Sequence, residues 1–313
     1  MFKKVLIGIL VVILVLALVL VLCAPNLLFN FIFGRPSRST KIPSYYVDTP
    51  HYIVSRKGME VMKNYPEEDH YTTSFDGLKL HAYVYPVVEQ PKKFVIGVHG
   101  YRSYARPEAG PYFEFYKDHG YTMLLPDDRA HAPSEGDYIG FGVLDQKDIL
   151  KWIDYIIDNY GEDVEILLHG VSMGAATVVG VSGEDLPVQV KGIISDCGFT
   201  SAHDILEYQL AESMHLPANY LLPKIEKIAI KKAGFNFSDD APIEKVKNAK
   251  VPMLFVHGAN DTMVPSFMLD QLYDACGSTN KRKMLVEGAA HGESIAFKPE
   301  KYHQNIIELF GLD

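Results

Sequence analysis

Gly170-Val171-Ser172-Met173-Gly174 brackets a serine with a glycine two positions to either side. A serine lifted above a sheet by a sharp strand-to-helix turn needs that bracketing, because larger flanking side chains would clash inside the turn. The flanks fit: Val164-Glu165-Ile166-Leu167-Leu168 reads as a buried strand, and Gly174 to Val179 as a helix start built from small residues. The hydroxyl becomes a nucleophile only when a base takes its proton. Among twelve histidines, His291 is the candidate, because it lies in the glycine-rich stretch Glu287-Gly288-Ala289-Ala290-His291-Gly292-Glu293 after the last expected strand. His169 and His257 sit beside strands, where structural hydrogen bonding is the ordinary role, while His81 and His119 read as partly exposed. The orienting acid should fall between serine and histidine in chain order. Asp261, which directly follows a buried strand in His257 to Pro265, fits that place; Asp196, at the end of the preceding strand, is its rival. Together the serine, base and acid are the equipment of acyl transfer.

Acyl transfer also needs donors aimed at the developing oxyanion, each worth about 2.7–4 kcal/mol. The N–H of Met173, next to the nucleophile, is one expected donor. The other should come from the loop after the third strand, Val98-His99-Gly100-Tyr101-Arg102-Ser103, and is assigned to the N–H of Tyr101.

Alternating elements must position these groups. His70 to Phe75 and Leu78 to Tyr85 flank Asp76-Gly77, a hairpin signal. Short apolar runs follow at Phe94 to Val98, Thr122 to Leu125, Val164 to Leu168, Gly192 to Ser195, Met253 to Val256 and Lys283 to Val286. Helix-length stretches lie between most of them, such as Val143 to Tyr160, where Trp152, Ile153, Ile156 and Ile157 share a face. This rhythm predicts an α/β fold: a mostly parallel sheet with helices on both faces and the hairpin at one edge. Ser201 to Asn248 offers helices but no strand, which predicts a helical cap insertion over the carboxyl ends of the strands, where ligands bind.

The N-terminus has a different character. Lys3 and Lys4 precede Val5 to Leu22, eighteen apolar residues without a charge, and the apolar character runs on to Phe33. That length meets the roughly 20 residues needed to span a bilayer. A signal peptide would also have a basic start, but the run is long for one, and cleavage at Ala24 would put Pro25 next to the cut. Leu22 before Cys23 is too large for lipoprotein processing. The expected organisation is a transmembrane anchor over 1–34, a proline-bearing linker with a short helix near Ser55 to Asn64 over 35–69, and the α/β unit over 70–313. Cationic residues are nearly balanced across the span, so placing the unit outside a cell membrane, on a single-pass anchor, is an assignment the positive-inside rule does little to fix.

Net charge is −9, without the basic footprint that nucleic-acid binding requires. Cys197 and Cys276 form neither a zinc pattern nor a disulfide framework and read as free thiols, although one long-range bridge stays open if the domain is exported.

On His99-Gly100-Tyr101, Leu124 to Gly136, Gly170 to Gly174, His257-Gly258 with Asp261 and Val264-Pro265, and His291, the chain resembles the α/β-hydrolase superfamily over about residues 70–313. It looks most like membrane-anchored bacterial members related to serine aminopeptidases and dienelactone-hydrolase-like enzymes. One segment departs from the family's P-D-x-R-G-H-G-x-S-x-G run: Ala130 and Ala132 stand where glycines flank the histidine, here His131. The resemblance implies hydrolysis of an ester or amide by Ser172, Asp261 and His291, with no metal and no organic cofactor. A small ester is the first expected substrate and a short peptide the second. Glu207 and Glu212 in the insertion are the acids available to hold a free amino terminus. A membrane-tethered binding protein on an idle hydrolase fold is the reading from another class. Tyr208, Leu210, Leu216, Tyr220, Leu221 and Leu222 would line an acyl pocket, or pack the insertion onto the domain.

Overall fold

The computed structural model describes residues 22–36, 49–131 and 133–312, with Leu6 besides. Eight strands form one sheet in the order β1-β2-β4-β3-β5-β6-β7-β8: β1 Glu68–Thr73, β2 Lys79–Tyr85, β3 Lys93–Val98, β4 Thr122–Asp127, β5 Glu165–Val171, β6 Val190–Asp196, β7 Met253–Gly258 and β8 Lys281–Val286. The β1–β2 hairpin is antiparallel and lies at one edge, and β2 also runs antiparallel to β4. Every other pairing is parallel.

The inner strands are apolar on both faces because both faces are covered. On β5, Leu167 and Val171 point into one core while Ile166 and Leu168 point into the other. The first core packs under α2 Pro50–Met62, α3 Ala105–Asp118 and α11 Pro299–Phe310 through Met62, Phe113, Tyr116, Tyr302 and Ile306. The second packs under α4 Asp145–Tyr160, α5 Met173–Val181 and α9 Phe267–Ala275 through Trp152, Ile153, Val178 and Leu269. The outer edge at β8 exposes Lys283 and half-buries Lys281 and Arg282, charges that oppose pairing with a further strand.

A third core lies at the carboxyl ends of the strands. Between β6 and β7 come α6 Ala202–Tyr208, a π-turn over Gln209–Ser213, α7 Ala218–Lys232 and α8 Pro242–Lys245, the last followed by a short 3-10 turn. Leu210, Leu221 and Leu222 pack into this core, so they hold the insertion on the domain; Tyr220 is exposed. Residues 22–33, grouped with the anchor on sequence, form a helix, α1. Its Phe29, Ile32 and Phe33 are buried in the third core, with Phe33 stacked on Phe237 at 5.4 Å. The expected membrane span lies outside the described residues apart from Leu6 and Leu22. Among the described residues no helix is long and apolar enough to cross a membrane.

Two local readings change, and a third holds. The short helix in the linker starts at Pro50 rather than near Ser55, capped by the Thr49 side chain accepting from the Tyr52 N–H. His81, read as partly exposed, is buried between Asp127 and Asp69, whose carboxylates lie 2.8 and 2.9 Å from its ring nitrogens. Cys197 and Cys276 are free and buried.

Candidate active site

The turn from β5 into α5 puts Ser172 at φ 57°, ψ −116°, a conformation that costs an L-residue energy. Packing enforces it. A Cβ on Gly170 would lie 2.1 Å from the Gly174 carbonyl oxygen, and one on Gly174 would lie 2.1 Å from the Val98 oxygen. The two glycines therefore let the strand, the helix and the end of β3 meet at one point.

The structure brings the three residues singled out above together. The Ser172 hydroxyl donates to His291 Nε2 at 2.9 Å, and His291 Nδ1–H donates to Asp261 Oδ2 at 2.7 Å. Asp261 Oδ1 accepts from the N–H groups of Met263 and Val264, both at 2.9 Å. Burial works against ionising Asp261, but hydrogen bonds from His257 and His291 and the His291 charge prevail and hold it well below the usual carboxylate range. Burial likewise disfavours the His291 imidazolium, yet Asp261 raises its pKa above the ordinary histidine value. The rival Asp196 serves elsewhere: it accepts from the Tyr112 hydroxyl at 3.2 Å, and burial pushes its pKa up.

Met173 opens α5, and Tyr101 follows Gly100, which approaches the serine closely enough that a Cβ there would lie 3.3 Å from Ser172 Cβ. Among the described residues neither the Tyr101 nor the Met173 N–H donates a hydrogen bond. Both remain available as donors.

Several neighbours escaped sequence reasoning. Arg102, at φ 55°, donates its own N–H to His131 Nε2 at 3.2 Å. Burial and the nearby His99 lower the His131 pKa to about 3, so its ring is a neutral acceptor. The Arg102 guanidinium donates to the Phe31 carbonyl, to Gly34 O at 3.3 Å and to the Tyr101 hydroxyl at 2.9 Å; that hydroxyl donates to Ile32 O at 2.8 Å. The loop carrying the Tyr101 amide is thus fastened to α1. Ala130, where the family pattern has glycine, is at φ 62° and fully buried, so the alanine accepts strain of about 1–2 kcal/mol. His257 Nε2 lies 3.2 Å from Asp261 Oδ2, a second imidazole on the acid. From α2, His51 Nδ1–H donates to Gly292 O at 2.9 Å, and its Nε2 is 3.6 Å from Glu108 Oε1. Glu108 Oε2 comes within 3.7 Å of the place a Gly100 Cβ would occupy, beside the serine, whereas Glu207 and Glu212 are exposed on the insertion. These partners come from distant segments and follow no spacing rule.

The insertion reaches the acid loop through Tyr208, whose hydroxyl donates to Thr262 O at 3.4 Å, and through Gln209 and the Met263 carbonyl. A cavity of about 490 Å³ opens between α2 and the start of α3, lined by Met59, Tyr65, Tyr83, Tyr85 and Tyr104, away from the serine. Cys197 Sγ, an Asp261 oxygen and a His291 nitrogen lie within 4.8 Å of one another, the one such trio among the described residues. Asp261 and His291 already use these atoms on each other and on Ser172, so the trio is accounted for without a metal ion.

The pattern of the prolyl oligopeptidase family matches residues 140–304, which contain Ser172, Asp261 and His291. The chain is similar to the YqkD protein of Bacillus subtilis, 25% identical over 197 residues. That match covers 63% of this chain and 64% of YqkD, so the chain spans less than two thirds of that relative's length. Among solved structures, the Pyrococcus furiosus esterase Pf2001 superposes with a TM-score of 0.66 at 22% identity, over 88% of this chain and 96% of the esterase. The Pyrococcus horikoshii acylaminoacyl peptidase superposes with a TM-score of 0.56 at 18% identity, over 78% of this chain and 41% of the peptidase. At these identities the likeness establishes the fold alone. That fold is the α/β-hydrolase fold, the family pattern covers more than half of the residues, and the chain belongs to the prolyl oligopeptidase family of hydrolases.

Proposed function

We propose that this hydrolase cleaves an ester bond through an acyl-enzyme on Ser172. The single observation that carries the reading is the unbroken hydrogen-bonded series from Asp261 through His291 to the Ser172 hydroxyl at a strained turn. Ser172 Oγ attacks the carbonyl while His291 Nε2 takes its proton, and Asp261 stabilises the imidazolium. The amides of Met173 and Tyr101 hold the oxyanion. His291 then gives its proton to the leaving alcohol, and water attacks the acyl-enzyme with His291 again as base. Side chains and two amides suffice for every step.

A fluorophosphonate probe tests the reading: it should label the wild type and leave Ser172→Ala unlabelled. Equal labelling of both would remove Ser172 from the chemistry, and no labelling of either would favour the idle-fold binding protein. A peptidase is the second reading. It is favoured by Glu108, a carboxylate beside the serine suited to a substrate amine, and by the family the chain belongs to. Turnover of short p-nitrophenyl esters against aminoacyl anilides separates the two. We also infer a membrane anchor in the uncharged run Val5 to Leu22, with the hydrolase domain on the outer side of a cell membrane. Labelling of intact cells by an impermeant probe is the expected outcome of that placement.

A further inference from the structure

We propose that the outer face of α1 and the lysine-bearing face of α7 form a docking surface for an anionic lipid bilayer, so that the cap side of the domain lies on the membrane. This rests on the anchored reading above and adds an orientation to it.

The inner stripe of α1 is buried at Pro25, Phe29, Ile32 and Phe33. Its outer face carries no charge and exposes large apolar side chains: Leu22, Leu27 and Phe31 are 65%, 59% and 64% exposed, interspersed with Cys23 and the polar Asn26 and Asn30. A helix facing water on one side ordinarily carries charges there and few large apolar side chains. The domain covers one apolar face of α1, and the other needs a cover of its own.

The helix beside it indicates which. Lys232 Nζ of α7 lies 5.3 Å from the centre of the Phe29 ring, and Phe235, just past α7, meets Phe33 edge-on at 5.8 Å. Exposed Tyr220, Lys224, Lys227 and Lys231 recur along α7 at helical spacing, with Ile230 exposed among them. Among the described residues none of Lys224, Lys227, Lys231 and Lys232 has a carboxylate within ion-pair distance, although the chain carries a net charge of −9. Most paired lysines, such as Lys245, Lys247 and Lys283, lie elsewhere on the surface. An uncharged apolar stripe beside a row of unpaired lysines matches the acyl boundary and the anionic headgroups of a bilayer. A second copy seated face to face would set lysine row against lysine row. The chain that enters α1 at Leu22 comes from the uncharged run starting at Val5, which places the bilayer at this end of the helix.

The test uses the full chain in vesicles of phosphatidylcholine alone or with phosphatidylglycerol, in a Cys23→Ser background that removes the exposed native thiol, Cys197 and Cys276 being buried from the label. A fluorophore at Ile230→Cys reports on the proposed face. One at Val188→Cys, on the exposed turn before β6 and so at the opposite end of the sheet, serves as the control. A quencher at headgroup depth should quench the Ile230 probe in phosphatidylglycerol vesicles, less at high salt, and spare the Val188 probe. Reversing Lys224, Lys227 and Lys231 to Glu should weaken docking by roughly a hundredfold while flotation with the vesicles and ester turnover persist. Flotation without quenching at Ile230 overturns the docking surface and leaves the anchor standing; loss of flotation by the wild-type chain overturns both. Equal quenching with and without phosphatidylglycerol overturns the role of the lysines. A Cys23–Cys23 cross-link in the otherwise native chain assigns the face to a second copy.

Discussion

The two amides assigned to the oxyanion belong to regions built in different ways. The turn at Ser172 is determined by its own neighbourhood: a buried strand, two glycines without room for a Cβ, and a helix of small residues. The loop at Tyr101 is held from outside, by His131 beneath and by the carbonyls of Phe31, Ile32 and Gly34 above. The first region lies inside the stretch matched by the family pattern, and the second precedes it. The geometry at Ser172 is therefore a local property of this chain, whereas the position of the Tyr101 amide depends on contacts with α1.

The largest effect expected on the local side comes from Asp261→Asn. The variant keeps the shape but loses the charge that fixes the Nδ1–H tautomer of His291, and kcat should fall by roughly 10⁴-fold. The same substitution has a signature in pH. Asp261 raises the His291 pKa, and only the neutral ring can accept the serine proton, so wild-type kcat/KM should fall as pH drops through a value above the ordinary histidine pKa. In Asp261→Asn that acid limb should move to lower pH. A pH–rate profile with a p-nitrophenyl ester checks both, and an unmoved limb would mean that another group titrates.

Gly174→Ala probes the place where the regions touch. Its methyl would sit 2.1 Å from the Val98 oxygen, immediately before the loop that carries Tyr101, so the turn and the loop must separate. Losing the alignment of one donor predicts a fall in kcat of roughly 10²–10³-fold. Overpacking adds a stability loss of about 1–3 kcal/mol, read from urea unfolding. If kcat fell without loss of stability, the backbone would be absorbing the methyl at the cost of alignment alone.

The contrast between the regions also accounts for what could be read in the sequence. Strand positions such as Phe94 to Val98 were legible because both faces are apolar over a length too short for a helix. Ser172, His291 and Asp261 stood out through glycine-bounded turns, which mark places where backbone geometry is demanding. Arg102, His51 and Glu108 carry no such mark: their partners are the Phe31 carbonyl, the Gly292 carbonyl and each other's segments, contacts made by tertiary packing. Residues 22–33 were grouped with the apolar run on hydropathy, which registers an uncharged helix but not which of its faces meets protein. His81 reads as partly exposed because period-2 alternation on an edge hairpin gives no hint of the two aspartates that bury it.

On the outside-held region the effects should be smaller and confined to kcat. Arg102→Ala removes the fork onto α1 while leaving the loop backbone, and about a tenfold fall in kcat with KM unchanged is expected from three lost charge-assisted bonds, one of them long. Arg102→Lys should recover only part of it, because an ammonium does not reproduce the planar fork. Tyr101→Phe is the finest cut: it deletes the hydroxyl that donates to Ile32 O and accepts from Arg102, and leaves the amide assigned to the oxyanion. Two hydrogen bonds at the low end of the net range, about 0.5 kcal/mol each, correspond to roughly a fivefold lower kcat. The acid limb of the pH profile should not move, since His291 and Asp261 are untouched. A shift of that limb in Tyr101→Phe would mean that the two regions share more than a boundary, and that α1 reaches the base as well as the oxyanion donor.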